Sequence, residues 1–193
     1  LTYRQSMIFS VDNLKQNSYC TPMKTQNSHD LHVPVMMNEI ISNLSSCLLD
    51  ASTDLELNNT GIDTSRNPKK YLDGTLGRGG HLQAILNQFP HVTALALDQD
   101  MTAIQYANEK FQTEISTGRL KIAHLNFSNY TQELFGEFDG MLLDLGVSSP
   151  QLDQAERGFS FYHDGPLDMR MNQSQTRTAA DVIAEFSEQE LID

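Results

Sequence analysis

The chain has no tryptophan and only two cysteines, and its 13 lysine and arginine residues are outnumbered by 25 aspartates and glutamates. Each shortage excludes something. Cys20 and Cys47 stand far apart with no CxxC pair, which removes a disulfide framework and a cysteine zinc site and suits a reducing compartment. His29 and His32 form an HxxH in a polar stretch without cysteine partners, too little to expect a bound metal. The net charge of −12 argues against a basic nucleic-acid surface within these residues. No apolar run approaches the length of a membrane span, so a membrane is not an expected partner.

What is present fits a globular chain: 193 residues, 39% hydrophobic and 20% charged, enough for one domain with a core or a domain plus part of another. Residues 1–31 begin at Leu1 and are rich in Ser, Asn, Gln and Thr, the composition of a disordered extension or a transit-peptide remnant. An apolar helix-like segment covers Val35 to Leu49, and a second polar stretch, residues 50–70, reads as a surface insertion. From there the pattern is regular. Short apolar runs at Lys70 to Leu72, Val92 to Leu97, Leu120 to Leu125 and Phe138 to Leu145 alternate with helix-like segments at Gly80 to Phe89, Met101 to Phe111 and Tyr130 to Phe135. Such alternation predicts successive βαβ units, an α/β fold with a parallel sheet whose ligand sits at the carboxyl ends of the strands.

Three of those strand ends carry an acid: Asp73, Asp98 and Asp144. The first opens YLDGTLGRGGH, with four glycines between Gly74 and Gly80. A P-loop would need a lysine followed by Ser or Thr, and a dinucleotide fingerprint starting at Gly77 and Gly79 would need glycine where Leu82 stands. Asp73, Gly77 and Gly79 instead match D-x-x-x-G-x-G, which resembles the first motif of Rossmann-like methyltransferases that bind S-adenosylmethionine. That cofactor presents a sulfonium, an ammonium and a ribose diol rather than phosphate, so carboxylates suit it, and Asp98 at the second strand end is the candidate for the diol. The fourth strand gives way to a turn-rich loop with Phe159, Phe161 and Tyr162, beside Arg157 and Arg170, which mildly favour RNA. Ser148 and Ser149 could equally cap a helix there.

DGTLGRGGH, the ALDQD around Asp98, and DLGVSSPQLDQAERGFSF with DGPLDMRM resemble the ribosomal RNA small-subunit methyltransferase H family, also called MraW. HVPVMMNEI, His32 to Ile40, is similar to the family's N-terminal segment. The resemblance implies a Rossmann-like class I methyltransferase core over residues 32–150, followed at 151–193 by the start of a helical substrate-recognition insertion. It implies S-adenosylmethionine as cofactor, and methylation of a cytosine N4 in the decoding centre of small-subunit (16S-type) ribosomal RNA, on the rRNA or the assembling subunit. Carried over by position, it assigns Gly79, Gly80, His81, Asp98, Phe127, Asp144 and Gln151 to the cofactor. Many amino-methyltransferases place Asp-Pro-Pro-Tyr after the fourth strand, where this chain has Asp144-Leu-Gly-Val-Ser-Ser-Pro150. The catalytic group is therefore open, with Asp144, Ser148 and Ser149 as candidates.

Other readings stay open beside this one: the same fold serving a protein or another RNA, or a fragment that only binds cofactor. A homodimer and either compartment, bacterial cytoplasm or an organelle, are compatible with the sequence. Because the fourth strand is the last one counted, it is expected to leave an unpaired apolar edge, making the 193-residue chain aggregation-prone and inactive.

Overall fold

A computed structural model describes residues 34, 36–49 and 68–192 in full and residues 5–10 as backbone. The residues expected to form the HxxH, Cys20, most of the N-terminal extension and most of the 50–70 insertion lie outside the described residues.

In chain order the elements are β1 (Gln5–Ser10), α1 (Met37–Leu48), β2 (Lys70–Asp73), α2 (Gly80–Gln88), β3 (Thr93–Asp98), α3 (Met101–Lys110), α4 (Gln112–Ser116), β4 (Leu120–His124), α5 (Gln132–Phe135), β5 (Gly140–Leu145), α6 (Ser149–Asp153), α7 (Ala179–Glu185) and α8 (Glu188–Ile192). The sheet order is β1-β5-β2-β3-β4. β2, β3, β4 and β5 run parallel, as the alternation predicts, and β5 returns to the far side of β2. The direction of winding therefore reverses between β2 and β5, which opens a crevice at their carboxyl ends.

Strand alternation divides the core between the two faces of the sheet. Tyr71, Ala94, Ala96, Leu120 and Leu142 meet the helices, including Ile40, Leu44 and Leu48 of α1 and Leu82, Ile85 and Leu86 of α2. Leu72, Leu95 and Leu97 form a smaller cluster against Phe127, Tyr130, Phe135 and Phe138. Each fully buried leucine contributes on the order of 2 kcal/mol. In α1 the buried positions Ile40, Leu44, Cys47 and Leu48 repeat at helical spacing and sit over Gly140, where a Cβ would lie 2.9 Å from Leu44. Asp139 fixes the entry to β5: its carboxylate accepts from Lys69 Nζ at 2.9 Å and from the Lys70 backbone N–H at 2.8 Å.

One expectation is corrected here. The outer edge of β5 is not unpaired, because β1 runs antiparallel along it from Gln5 opposite Leu145 to Ser10 opposite Gly140. The strand, QSMIFS, is a short run with Met7, Ile8 and Phe9 inside the hydroxyl- and amide-rich N-terminal stretch, and it covers the edge through the backbone groups that form the ladder. After β5, Thr178 caps α7 by accepting from the Asp181 N–H, and Ser187 shares a reciprocal capping pair with Glu190 at the start of α8. Among the described residues no helix is long and apolar enough to cross a membrane.

Candidate functional site

A cleft of about 670 Å³ opens at the reversal of strand order, lined from the β2 turn by Gly74 to Arg78, Gly80 and His81, and from the β3 end by Asp98 and Gln99. Asn126 and Phe127 after β4 close one side, and Asp144 to Gln151 after β5 close the other. This is the size range of sites for small organic ligands. Six of the seven residues assigned to the cofactor line it; Gly79 is buried and does not.

The glycine turn is built to bring backbone close. Gly79 caps α2 in the left-handed region at φ 67, and a Cβ there would stand 2.5 Å from the buried Phe111 ring. At Gly80 a Cβ would strike Pro34 at 2.4 Å. The Gly77 N–H donates to the Asp98 carboxylate at 2.7 Å, so the turn after β2 is tied to the end of β3. Asp98 accepts a second bond from the Asp100 N–H at 2.8 Å. Burial raises the Asp98 carboxyl above the ordinary carboxylate value, and these two backbone donors partly offset it. Each of its oxygens keeps a lone pair for a hydroxyl donor.

Asp73 sits below the turn, 2% exposed, accepting only the Thr75 N–H at 3.1 Å among the bonds described. Burial, with Asp98 and Asp144 nearby, pushes its carboxyl up to about 7. Asp144 is held from the other side: its backbone N–H donates to the Thr75 hydroxyl at 2.7 Å, and its carboxylate stands 3.8 Å from His81 Nδ1. Phe127 is half-buried at the start of a single 3₁₀ turn.

Ser148 is the N-cap of α6, and its N–H donates to Gln151 Oε1 at 2.9 Å. Ser149 is the first residue of that helix. Both the capping reading and the placement of these serines at the cleft hold together. Gln151, 5% exposed, also donates through Nε2 to Asp100 at 2.9 Å, so a cofactor contact would fall to its second amide hydrogen.

Two arginines depart from expectation. Arg157 is 3% exposed and hydrogen bonds to Asp100, and Arg170 makes a bidentate pair with Asp168 while also donating to the Gln175 carbonyl. Their guanidinium groups have internal partners. Of the loop aromatics, Phe161 and Tyr162 are exposed and meet edge to face, while Phe159 is half-buried with the Arg157 guanidinium 5.8 Å from its ring centre. Asp100 is the residue that reading along the chain passed over; its signal was the second acid of ALDQD, immediately before a helix start. Burial opposes its ionisation, but bonds from Gln151 and Arg157 outweigh that and hold its carboxyl below the ordinary value. Among the described residues no group of three or more His, Cys, Asp or Glu is arranged to hold a metal ion.

A parallel sheet with a reversal cleft, a glycine turn and acids at the strand ends defines a Rossmann-like α/β methyltransferase fold. The chain belongs to the MraW methylase family, whose profile matches residues 29–193. It is 57% identical over 122 residues to the ribosomal RNA small subunit methyltransferase H of Bdellovibrio bacteriovorus, covering 63% of this chain and 37% of that one. Proteins of the same name from Crocosphaera subtropica and Francisella tularensis subsp. novicida are 42% and 43% identical over 86% and 76% of this chain. The chain spans 46% of the length of each of those two.

Proposed function

We propose that the complete protein transfers a methyl group from S-adenosylmethionine to the N4 amine of a cytosine in small-subunit ribosomal RNA, acting wherever small subunits assemble, in bacterial cytoplasm or an organelle. The observation that carries this is the cleft itself. Asp98, anchored by Gly77 and Asp100, and Asp144, beside His81, stand on either side of a glycine turn, in a chain whose relatives are named as rRNA methyltransferases.

The residues fit the cofactor by charge and shape. Bound there, S-adenosylmethionine supplies an electrophilic methyl group on a sulfonium. Asp98 would accept the ribose hydroxyls, Phe127 would lie against the adenine, and Gly79, Gly80, His81, Asp144 and Gln151 would form the rest of the shell. Backbone carbonyls and hydroxyls from Gly146 to Ser149 would accept hydrogen bonds from the two amine N–H groups, drawing the nitrogen lone pair out of the ring and aligning it, and the methylated amine would then release one proton to solvent. Asp144, Ser148 and Ser149 are the candidates for the catalytic group.

The test is genetic and chemical. A strain or organelle lacking this gene should lose N4-methylation at one small-subunit rRNA cytosine by nucleoside mass spectrometry, and the complete coding sequence should restore it. Restoration of a different modified nucleoside, or of a methylated protein, would defeat the cytosine assignment and leave the cofactor assignment standing.

A further inference from the structure

We infer that the loop carrying Phe161 and Tyr162 meets the RNA and that Arg157 is a positioning residue coupling this loop to the cofactor pocket through Asp100; the inference rests on the methyltransferase reading above. Arg157 Nη2 donates to Asp100 Oδ2 at 2.8 Å and to the backbone carbonyls of Arg170 and Met171 at 3.1 and 3.2 Å. Asp100 in turn donates its backbone N–H to the Asp98 carboxylate at 2.8 Å. The side chain of Gln99, between those two aspartates, reaches the sulfur of Met171, which lines the cleft. One guanidinium therefore spans from the turn that presents Asp98 to the far end of the loop carrying Phe161 and Tyr162.

Stability alone is a poor reason for a charge at that place. A buried ion pair loses in desolvation much of what it gains in attraction. The Arg157 Nε is also buried without a hydrogen-bond partner among the described residues, a further cost. What the pair provides is a fixed distance between two segments that meet different ligands. Order imposed on the Asp98 to Asp100 turn by a bound ribose is transmitted to the loop, and order imposed on the loop by RNA returns to the turn. Thermodynamic linkage makes the two effects equal in size.

The experiment uses the complete protein and measures S-adenosylhomocysteine affinity with and without small-subunit rRNA, beside methylation kinetics. In the wild type, rRNA should tighten the nucleoside by roughly fivefold or more, in the usual range of coupling between sites. Arg157→Met should bring that ratio to about one and lower kcat by about tenfold or more, while affinity without rRNA changes less than about threefold. Arg157→Lys should keep part of the coupling, since an ammonium carries three donors for the same three acceptors on a shorter arm. If Arg157→Met does not fold, the double variant Asp100→Asn/Arg157→Met, which leaves no lone buried charge, replaces it. Wild-type coupling in whichever apolar variant folds, or unreduced coupling in Arg157→Lys, overturns the inference. So does a wild type that methylates rRNA yet shows no coupling. A wild type that neither binds the nucleoside nor methylates rRNA removes the functional reading, and the inference with it.

Discussion

The backbone N–H of Gly77 donates to the Asp98 carboxylate at 2.7 Å, joining the turn after β2 to the last residue of β3. The acid proposed for the ribose is thus oriented before any ligand arrives, with its remaining lone pairs available at the cleft. Two charge-assisted bonds to a diol are worth roughly 1.5 to 3 kcal/mol each. In the complete protein, Asp98→Ala should therefore weaken S-adenosylmethionine by about a hundredfold or more. Because Asp98→Ala orphans the backbone N–H groups of Gly77 and Asp100, Asp98→Asn, whose single amide oxygen can still accept one of them, serves as the milder comparison. Calorimetry showing wild-type affinity in both would remove Asp98 from the site.

Asp73 predicts a pH dependence of folding. Burial pushes its carboxyl up to about 7 in the folded chain, against 3.8 for an ordinary aspartate. A folded value above the unfolded one means that the native state holds a proton the unfolded chain has already released. The contribution is fully present below about pH 3.8 and is lost as pH rises through about 7. Thermal melts of the complete protein should fall as pH rises from 3.8 to about 7 and level off above it, and Asp73→Asn, which can still accept from Thr75, should flatten that slope. Parallel slopes for the two proteins would show that Asp73 is not the titrating group.

Gly77 and Gly79 share a left-handed backbone, at φ 50 and φ 67, but differ in what a side chain would meet. At Gly77 the nearest atom to a Cβ is the Thr75 carbonyl oxygen at 4.0 Å; at Gly79 it is the Phe111 ring at 2.5 Å. Gly77→Ala should cost about 1 to 2 kcal/mol, the price of the backbone alone. Gly79→Ala adds overpacking against a buried ring and should cost roughly 1 to 3 kcal/mol more. Denaturant melts giving equal losses, or the reverse order, would contradict the packing at the start of α2.

Much of the fold could be read along the chain because its signals are local. The apolar runs that become β2, β3, β4 and β5 are bounded by acids and helix starts, and the strands form within a few residues of where the runs lie. Asp98 and Asp144 were legible for the same reason, since one is the last and the other the next-to-last residue of a strand at the edge where α/β sheets bind ligands. The side-chain commitments of Arg157 and Arg170 were not. A guanidinium in a turn-rich loop looks solvent-facing until the loop folds back and brings it to an acid 57 positions away.

The chain's own order of apolar and polar residues determined a parallel α/β sheet, its glycine turn and the acids at its strand ends, because backbone geometry and side-chain alternation act over a few residues. Only the tertiary structure decided which edges meet. The placement of β5 beside β2 and of β1 along β5, the height of the Asp73 pKa, and the role of Asp100 as the junction between Asp98, Gln151 and Arg157 all depend on groups from separate strands and loops. Electrostatic environment and ladder partner are properties of neighbours in space, and those neighbours exist only once the chain has closed on itself.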